Sequence, residues 1–276
     1  LGDKKYTAKN QQYGTYINYY LNHTPKNSIE VKIFDKQNNL ITTLEDENPE
    51  KGINRLAWDL GYDSANPLNV NEQGKLEIKK TKPGKTYEGL SEEIRPKVAP
   101  GIYKAEIKYN NTTEVSEFFV SGDYRIEMPV ENYKLKSEAL VSLRDLQNNT
   151  HKLIENILFI EEQIETLAIK LKVVSSKDLP RLERLLNKIK TFKDHDLMRP
   201  PPSMGYRQRP RLKEEIKTLM RAIDNTTNPP TIPQQERIKS LKQELDVHLR
   251  KMEDFKISIN QISSSHSSLP QIIMND

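Results

Sequence analysis

The feature that most constrains the fold of this chain is a pair of long heptad repeats in its C-terminal half. Apolar residues are spaced alternately four and three apart, which places them along one face of an α-helix. The first repeat predicts a helix from about Asn132 to Lys172, roughly 60 Å long at 1.5 Å per residue. The second predicts a helix that starts near Thr231, because Thr231 and Gln234 have capping-box spacing and Pro233 lies in the first turn. The repeats consist of Ala139, Leu143, Leu146, Thr150, Leu153, Ile157, Ile160, Ile164, Leu167 and Leu171, and of Ile238, Leu241, Leu245, His248, Met252, Phe255, Ile259 and Ile262.

Two shorter amphipathic helices are predicted between the repeats. Asp178 is the expected N-cap of the first, and Lys193–Pro210, which is rich in proline and arginine, is the expected extended loop between the two. Because the long apolar stripes must be covered, we expect these segments to pack as an antiparallel bundle. The short helices then form either two legs of a four-helix bundle or one broken leg of a three-helix bundle. Their apolar faces carry Leu182, Leu185 and Ile189, and Leu212, Ile216, Leu219 and Ile223.

The first 130 residues have the composition of a β domain. Nine of the ten glycines and ten of the twelve tyrosines lie at or before Tyr124. Alternation of apolar and polar residues predicts six or seven short strands, including a hairpin over residues 101–120 that turns at Asn110. Short strands separated by turns favour an immunoglobulin-like antiparallel β-sandwich over residues 1–130, followed by the helical bundle over residues 131–276. The strands are expected at 15–21, 29–33, 40–44, 55–60, 103–109 and 115–120.

Residues 61–99 fit this pattern less well. The stretch is polar and contains three prolines and four glycines, with at most one short strand around residues 75–80. Long excursions without secondary structure are uncommon in compact domains unless they are functional or mobile. We therefore expect this long polar excursion of the β domain, called the insertion below, to be either functional or mobile.

Composition excludes several classes of protein. No stretch approaches the roughly 18 apolar residues that span a membrane. The 43 Lys and Arg residues against 39 Asp and Glu residues give a net charge of only +4, which argues against a nucleic-acid partner. The absence of cysteine removes disulfides, thiolate catalysis and cysteine zinc sites. The chain starts at Leu1 with neither an initiator methionine nor a signal-peptide pattern, so we expect a fragment or a processed chain.

Two groups of residues are candidates for ligand binding. Within the basic stretch Lys177–Arg221, the arginines of the Arg199–Arg211 loop are interleaved with an aromatic residue and can hold phosphates, anionic glycans or an acidic partner, although a solvated loop joined to ordinary amphipathic helices is the simpler interpretation. Tyr16 and Tyr20 lie on the face of the first strand opposite Ile17 and Tyr19, where they can form an exposed aromatic surface or pack against a neighbouring domain. The candidate ligand-binding residues are Tyr16, Tyr20, Arg199, Tyr206, Arg207, Arg209 and Arg211.

Other chemically capable residues are better explained as structural. Asp194, His195 and Asp196 lack a second histidine at helical spacing, so we expect a surface loop and no metal site. Glu161, Glu162 and Glu165 suggest paired carboxylates, but Glu161 and Glu165 lie beside the seam of the long helix and are expected to face water. Trp58, which alternates with Leu56 and Leu60, is expected in the core, with Asp59 beside it, and His248 is expected to be a hydrogen-bonded or bundle-end histidine. We predict no catalytic residue, metal or cofactor.

Three segments of the β region resemble a known module. Tyr13-Gly14-Thr15, then Gly52 to Leu60 with its Trp58-Asp59 pair, then Ala99-Pro100-Gly101-Ile102-Tyr103 are similar to the immunoglobulin-like module of flagellar hook-scaffold proteins. In a large group of bacterial secreted proteins, such a module follows a sortilin-type, sialidase-like β-propeller and precedes a helical region. Thr231-Ile232-Pro233-Gln234-Gln235 resembles the start of the last helix of that region. The Gly61–Ala99 stretch is longer and more charged than in that group.

The resemblance implies an exported protein of the extracellular space or cell envelope, whose upstream propeller is the expected partner. It carries no catalytic residue to any position of this chain. The leading hypothesis is thus a non-enzymatic accessory or scaffold region that mediates domain packing or protein–protein interaction. The alternative is a glycan- or anion-binding module that uses the tyrosine surface or the arginine loop. A hydrolase built on Glu161, Glu165 or Asp59 is the third hypothesis, and it requires a pocket into which these groups converge.

Overall fold

The structure is a computed structural model that describes residues 13–71, 74–76, 94–110, 112–173, 177–201 and 208–264. It is an α+β structure, and these residues contain two antiparallel sheets and four α-helices. The chain divides into two compact units, each built from two stretches of sequence. The first unit consists of Leu1–Asp63 and Arg95–Ser137, and the second of Ser64–Ile94 and Glu138–Asp276. The sequence patterns place a single boundary near residue 130, whereas the contacts assign Ser64–Ile94 to the second unit.

Six strands form the two sheets of the first unit. They are β1 (Thr15–Leu21), β2 (Ile29–Asp35), β3 (Leu40–Asp46), β4 (Gly52–Trp58), β5 (Gly101–Tyr109) and β6 (Thr112–Val120). One sheet has two strands, β1 and β4, and the other has the strand order β3-β2-β5-β6. All pairs of neighbouring strands are antiparallel.

The alternation seen in the sequence explains these strands. On β2, Ile29, Val31 and Ile33 are buried, whereas Glu30 and Lys32 are exposed. The predicted hairpin is confirmed: β5 and β6 pair from Gly101 with Val120 to Tyr109 with Thr112. Asn110 has a φ of 52°, in the left-handed region that asparagine tolerates in tight turns. The fourth strand was predicted up to Leu60 but ends at Trp58, because Leu60 has a φ of 60° and leaves the extended conformation.

Side chains from both sheets contribute to one apolar cluster. Trp58 of β4 is fully buried and makes edge-on ring contacts with Tyr103 of β5 and Phe118 of β6. Val31, Ile33 and Ile41 of the four-stranded sheet join the same cluster, as do Ile17 and Leu56 of the two-stranded sheet. The prediction that Trp58 is a core residue is confirmed.

The insertion at 61–99 starts and ends with backbone pairing. The Tyr62 N–H donates to the Pro96 carbonyl at 2.8 Å, and the Val98 N–H donates to the Leu60 carbonyl at 2.8 Å. The short strand predicted around residues 75–80 is represented by an isolated bridge between Val70 and Leu76, and residues 77–93 lie outside the described residues.

Between those ends, the insertion packs in the second unit. Leu68, Val70, Leu76 and Ile94 lie against its apolar cluster. The Asn66 N–H donates to Oδ1 of Asn148 at 2.7 Å, and the Asn69 N–H donates to Oε1 of Glu155 at 3.1 Å. Nδ1 of His151 lies 2.7 Å from the Asn66 carbonyl oxygen. The segment is therefore held by polar side chains of the first long helix.

The helices follow the predicted pattern. They are α1 (Val130–Val173), α2 (Leu179–Phe192), α3 (Leu212–Asp224) and α4 (Ile232–Ser264). Seven of the eight residues of the second heptad repeat are buried, and the eighth, Phe255, is half-buried. The capping box is confirmed, because the Thr231 N–H donates to Oε1 of Gln234 at 2.9 Å and the Gln234 N–H donates to Oγ1 of Thr231 at 3.4 Å.

The apolar stripes of all four helices enter a single cluster of buried residues. It includes Leu143, Ile157 and Ile164 of α1 and Leu241 and Ile259 of α4. The shorter helices contribute Leu182, Ile189 and Phe192, and Leu212, Ile216, Met220 and Ile223. On α3, Met220 is buried where the periodicity placed Leu219, which is half-buried. No α-helix among the described residues is long and apolar enough to cross a lipid bilayer.

The loop predicted at 193–210 starts later than expected. Lys193–Leu197 continue α2 as one π-helical turn, and the backbone becomes extended at Met198, with a φ of -150° and a ψ of 151°. The first proline of the region is Pro200, so nothing upstream breaks the helix. Burial of the apolar side chains of Leu197 and Met198 stabilises the extra turn.

Candidate functional site

The outer face of the two-stranded sheet carries an exposed aromatic surface. Tyr20 is 65% exposed and Tyr16 37%, as the alternation predicted. Ile53 of β4 lies directly opposite Tyr20 in the register and is 81% exposed. The Arg55 guanidinium lies 4.9 Å from the centroid of the Tyr16 ring, and its Nε donates to Oδ1 of Asn18 at 3.0 Å. We call Tyr16, Tyr20, Ile53 and Arg55 the tyrosine face.

Tyr19, which lies between Tyr16 and Tyr20 on β1, has a structural role in the interior of the first unit. Tyr19 is buried, and its hydroxyl donates to Oδ2 of Asp46 at 2.6 Å. Burial and this hydrogen bond to a carboxylate raise the pKa of the Tyr19 phenol, because both disfavour the phenolate. Alternation along a single strand thus separates a structural tyrosine from two exposed ones.

Asp59, which follows the core tryptophan, is held by two cations. Nη1 of Arg95 lies 3.0 Å from its Oδ2, and Nζ of Lys97 lies 2.8 Å from the same atom. Burial opposes ionisation of Asp59, but the hydrogen bond from Lys97 and the charge of Arg95 outweigh it and hold the pKa of this carboxyl below its usual value. The indole Nε1 of Trp58 donates to the Gly61 carbonyl at 3.0 Å. These groups fix the bend after β4.

Glu161 does not face water, contrary to the prediction from its position beside the seam of α1. It is 7% exposed, and its Oε2 accepts a hydrogen bond from Nζ of Lys193 at 2.8 Å. Burial raises the pKa of the Glu161 carboxyl in spite of the Lys193 ammonium. The prediction failed because Lys193 belongs to the π-helical turn that covers this side of α1. Glu165 remains half-exposed and pairs with Lys190 at 2.6 Å, and Glu162 is exposed.

The Asp194–Asp196 stretch lies on the π-helical turn, whereas a surface loop was predicted. Oδ2 of Asp196 pairs with Nζ of Lys251 at 3.2 Å, and the side chain of His195 is exposed. Within the described ranges, no three His, Asp or Glu side chains are grouped so that they can hold a metal ion.

The described arginines of the Arg199–Arg211 loop donate to backbone carbonyls. Nε of Arg199 contacts the Arg209 carbonyl at 3.1 Å, and Nη2 of Arg209 contacts the His195 carbonyl at 3.1 Å. Nε of Arg211 contacts the Asp194 carbonyl at 2.9 Å. These bonds tie the π-helical turn to the start of α3. Tyr206 and Arg207 lie outside the described residues.

The first unit has a groove that is not among the sites predicted from the sequence. It has a volume of about 560 Å³ and runs along β1 on the side away from β4. Its walls are residues 17–23 on one side and residues of β5 and β6 on the other, including Ala105, Ile107, Glu114 and Ser116. We call it the β1 groove. A seven-residue strand without a charged side chain is the sequence signal that marks it, but only the strand order shows that this edge is open.

No protein-family model, no curated protein and no solved structure matches this chain.

Proposed function

We propose that this chain is a non-catalytic accessory and scaffold region of a larger exported bacterial protein, in which it mediates domain packing or protein–protein interaction. The proposal combines two supports. The Tyr13-Gly14-Thr15, Gly52–Leu60 and Ala99–Tyr103 segments resemble the module that follows sialidase-like β-propellers. The distribution of polar and apolar side chains is the second support and carries most of the weight.

In that distribution, the carboxylates that could act in catalysis are held in ion pairs, and large apolar side chains are exposed at the surface. Asp59, Glu161 and Glu165, the carboxylates on which a hydrolase would be built, are each paired with lysine or arginine, and only Glu161 is buried. Large apolar side chains are exposed on outer sheet faces instead: Ile53 with the tyrosine face, and Ile102 at 44% and Phe119 at 69% on the paired strands β5 and β6. Exposed apolar groups on neighbouring strands favour contact with another protein surface.

The architecture that we propose for this role is an immunoglobulin-like β-sandwich followed by an antiparallel helical bundle. The apolar cluster shared by the two sheets supports the sandwich. The single cluster formed by the stripes of α1 to α4 supports the bundle.

The test is to read the complete open reading frame and then to measure binding between its upstream region and this chain as separate polypeptides. We expect a signal peptide and a β-propeller upstream, and a 1:1 complex by analytical ultracentrifugation. Ile53→Ser should weaken that complex if the tyrosine face takes part, and Phe119→Ser should weaken it if the outer face of β5 and β6 takes part. Thr43→Ser should not weaken it. Turnover by the chain that is lost in Asp59→Asn or Glu161→Gln, without loss of folding, would refute the proposal.

The second candidate is a glycan- or anion-binding module. The specific observation in its favour is the tyrosine face, where the Arg55 guanidinium lies over the Tyr16 ring and leaves Tyr20 exposed. Arg199, Arg209 and Arg211 offer further guanidinium donors. This function requires salt-dependent retention on heparin or signals on a glycan array that are reduced in Tyr20→Ala. Retention that is identical in Tyr20→Ala and in Arg209→Ala would exclude both surfaces.

A further inference from the structure

The geometry points to the β1 groove as the binding site for an extended peptide of a partner protein, which adds a strand to the free edge of β1. This inference names a partner class for the interaction role proposed above and rests on that role. The starting observation is the strand order: β1 pairs with β4 and with no other described strand, so the backbone N–H and C=O groups along its other edge have no strand partner within the described residues.

The edge of β1 lacks the features that protect natural sheet edges. Exposed edges are blunted by charged residues, proline or bulges, because an unprotected edge pairs with other chains. β1 has none of these, and its register with β4 is continuous over all seven residues. The other three strands with an open edge in the described sheets all carry charge: β3 has Glu45 and Asp46, β4 has Arg55, and β6 has Glu114 and Glu117. An uncharged edge beside a groove indicates that this edge is normally covered.

The inner face of β6 also lacks cover at the same place. Phe118 and Val120 of that face are half-buried and buried, but Thr112, Glu114 and Ser116, which continue the same alternation, are exposed. Ser116 pairs with Ala105 and Glu114 pairs with Ile107, so the uncovered residues flank an apolar floor. One more strand on β1 would lie over this floor, because side chains of an added strand alternate between the groove and solvent.

The groove defines the chemistry of the peptide. A strand of about seven residues covers the edge of β1 at about 3.4 Å per residue. Small or β-branched apolar side chains at every second position suit Ala105 and Ile107. Glu114 is the only acidic side chain among the residues that line the groove, and lysine and arginine are absent from them. The partner segment is therefore proline-free and alternating, with a lysine or arginine opposite Glu114.

The test is a selection of random seven-residue peptides against the full chain, followed by titration of synthetic copies of the selected peptides. We expect enrichment of alternating sequences that contain Lys or Arg. Glu114→Lys should weaken binding about three- to tenfold, the effect of reversing one exposed charge pair. Ser116→Trp, which fills the groove from an exposed position, should abolish binding. The matched control is Glu117→Lys on the outer face of β6, which should leave the affinity unchanged.

Strand pairing has a signature that simple apolar binding lacks. In a peptide added to β1, alternate N–H groups face the edge. N-methylation of one alternating set should abolish binding, and N-methylation of the other set should be tolerated. Equal effects of the two sets would overturn the proposal, as would a selection without enrichment or binding that persists in Ser116→Trp.

Two other occupants give distinct outcomes. If only a chain without residues 1–12 selects peptides, the groove takes a segment of its own chain and the partner proposal is wrong. If the chain is a dimer that Ser116→Trp dissociates, the occupant is a second copy, and the proposal is equally wrong. The propeller-binding experiment is independent of all these results, so failure of the peptide site and failure of the accessory role can be told apart.

Discussion

At the scale of single residues, the helical unit contains two ionisable groups whose burial can be measured. Glu161 and Lys193 have side chains only 10% and 14% exposed, and Oε1 of Glu161 has no hydrogen-bond partner. An ion pair this deep loses much of its hydration, so removal of one partner leaves an uncompensated buried charge. A second pair, Glu165 of α1 with Lys190 of α2, has side chains about half-exposed and serves as an internal reference.

We predict opposite effects of single and double substitutions at the buried pair. Glu161→Leu or Lys193→Met alone should lower the free energy of unfolding by about 2–4 kcal/mol, because the remaining charge loses its buried partner and Lys193 keeps only the more exposed Asp194 at 3.8 Å. The double variant should lie within about 1 kcal/mol of the original chain, because the charge is gone and apolar contacts replace it. Urea unfolding followed by circular dichroism measures all three values.

The control is Glu165→Ala, which should cost less than about 1 kcal/mol, as is typical of exposed pairs. If Glu161→Leu is as mild as Glu165→Ala, the carboxyl of Glu161 is not buried in solution and the assignment is wrong.

His248 predicts a pH dependence of stability. Its side chain is 11% exposed, and the ring packs against Phe192 with 5.3 Å between centroids. Nε2 lies 3.7 Å from Oε1 of Glu244, beyond hydrogen-bond distance. Burial lowers the pKa of His248 below 6.5; the carboxylates of Asp196 and Glu244 oppose this shift, and the Lys251 ammonium adds to it. The unfolded chain then binds the proton more readily. Above pH 6.5 the ring is neutral in both the folded and the unfolded chain, so the full stability is present. As the pH falls from 6.5 through the lower folded-state pKa, the unfolded chain takes up the proton first, and that stability is lost.

We therefore expect His248→Leu to reduce the loss of stability between about pH 7.5 and about pH 5.0. It should also raise stability at the higher pH by about 1 kcal/mol, since two buried nitrogen atoms without hydrogen bonds are removed. Urea midpoints at the two pH values give both quantities. His195→Gln, at an exposed histidine, is the matched control and should leave the pH dependence as it is. An unchanged pH dependence in His248→Leu would contradict the assignment.

At the scale of elements, the start of β1 depends on a close backbone approach. Gly14 has a φ of +113°, and a Cβ atom on it would lie 2.0 Å from the carbonyl oxygen of Trp58 in β4. Gly52 has a similar φ of +104°, but a Cβ atom there would meet open space. The two glycines thus separate the cost of backbone conformation from the cost of a steric clash.

We predict that Gly52→Ala costs about 1–2 kcal/mol, the strain of a left-handed conformation. Gly14→Ala should cost about 2 kcal/mol more, because β1 or β4 must also move away from the added methyl group. Thermal unfolding of the two variants under the same conditions measures the difference. Equal losses would show that β1 and β4 do not approach each other this closely.

At the scale of the whole molecule, the chain leaves the strands at residue 64 and returns near residue 95, and in between it belongs to the helical unit. The Asn66 and Asn69 amides are protected by α1 side chains rather than by a sheet. Their hydrogen exchange therefore reports on this docking, because amides held by a few surface hydrogen bonds open locally.

We expect the double variant Asn148→Ala with Glu155→Ala to increase deuterium uptake across residues 64–71 about tenfold in rate or more, since both acceptors of these amides are removed. Peptides from β2 and β5 should exchange as before. Lys152→Ala, at an exposed position of α1, is the control and should have no effect. Unchanged uptake in the double variant would mean that the segment is held in another way.

The features of this fold that the sequence predicts are those set by the pattern of apolar and polar residues along a single strand or helix. Residues of one strand or helix face share a period of two or of 3.6, so Thr15–Leu21, the 101–120 hairpin and the buried stripes of α1 and α4 are visible without coordinates. The same holds for the exposure of Tyr16 and Tyr20 and for the burial of Trp58. These are properties of neighbouring residues.

Tertiary structure decided the properties that depend on which distant element lies alongside. Glu161 is buried because Lys193 and its π-helical turn cover one side of α1, and the edge of β1 is open because β4 is its only partner among the described strands. Ser64–Ile94 joins the helices through partners about 80 residues away in the chain, such as Asn148 for Asn66. The periodicity of the sequence shows which side of an element is apolar. Strand pairing and docking, however, depend on contacts between segments that are remote in the sequence, so only the folded structure shows them.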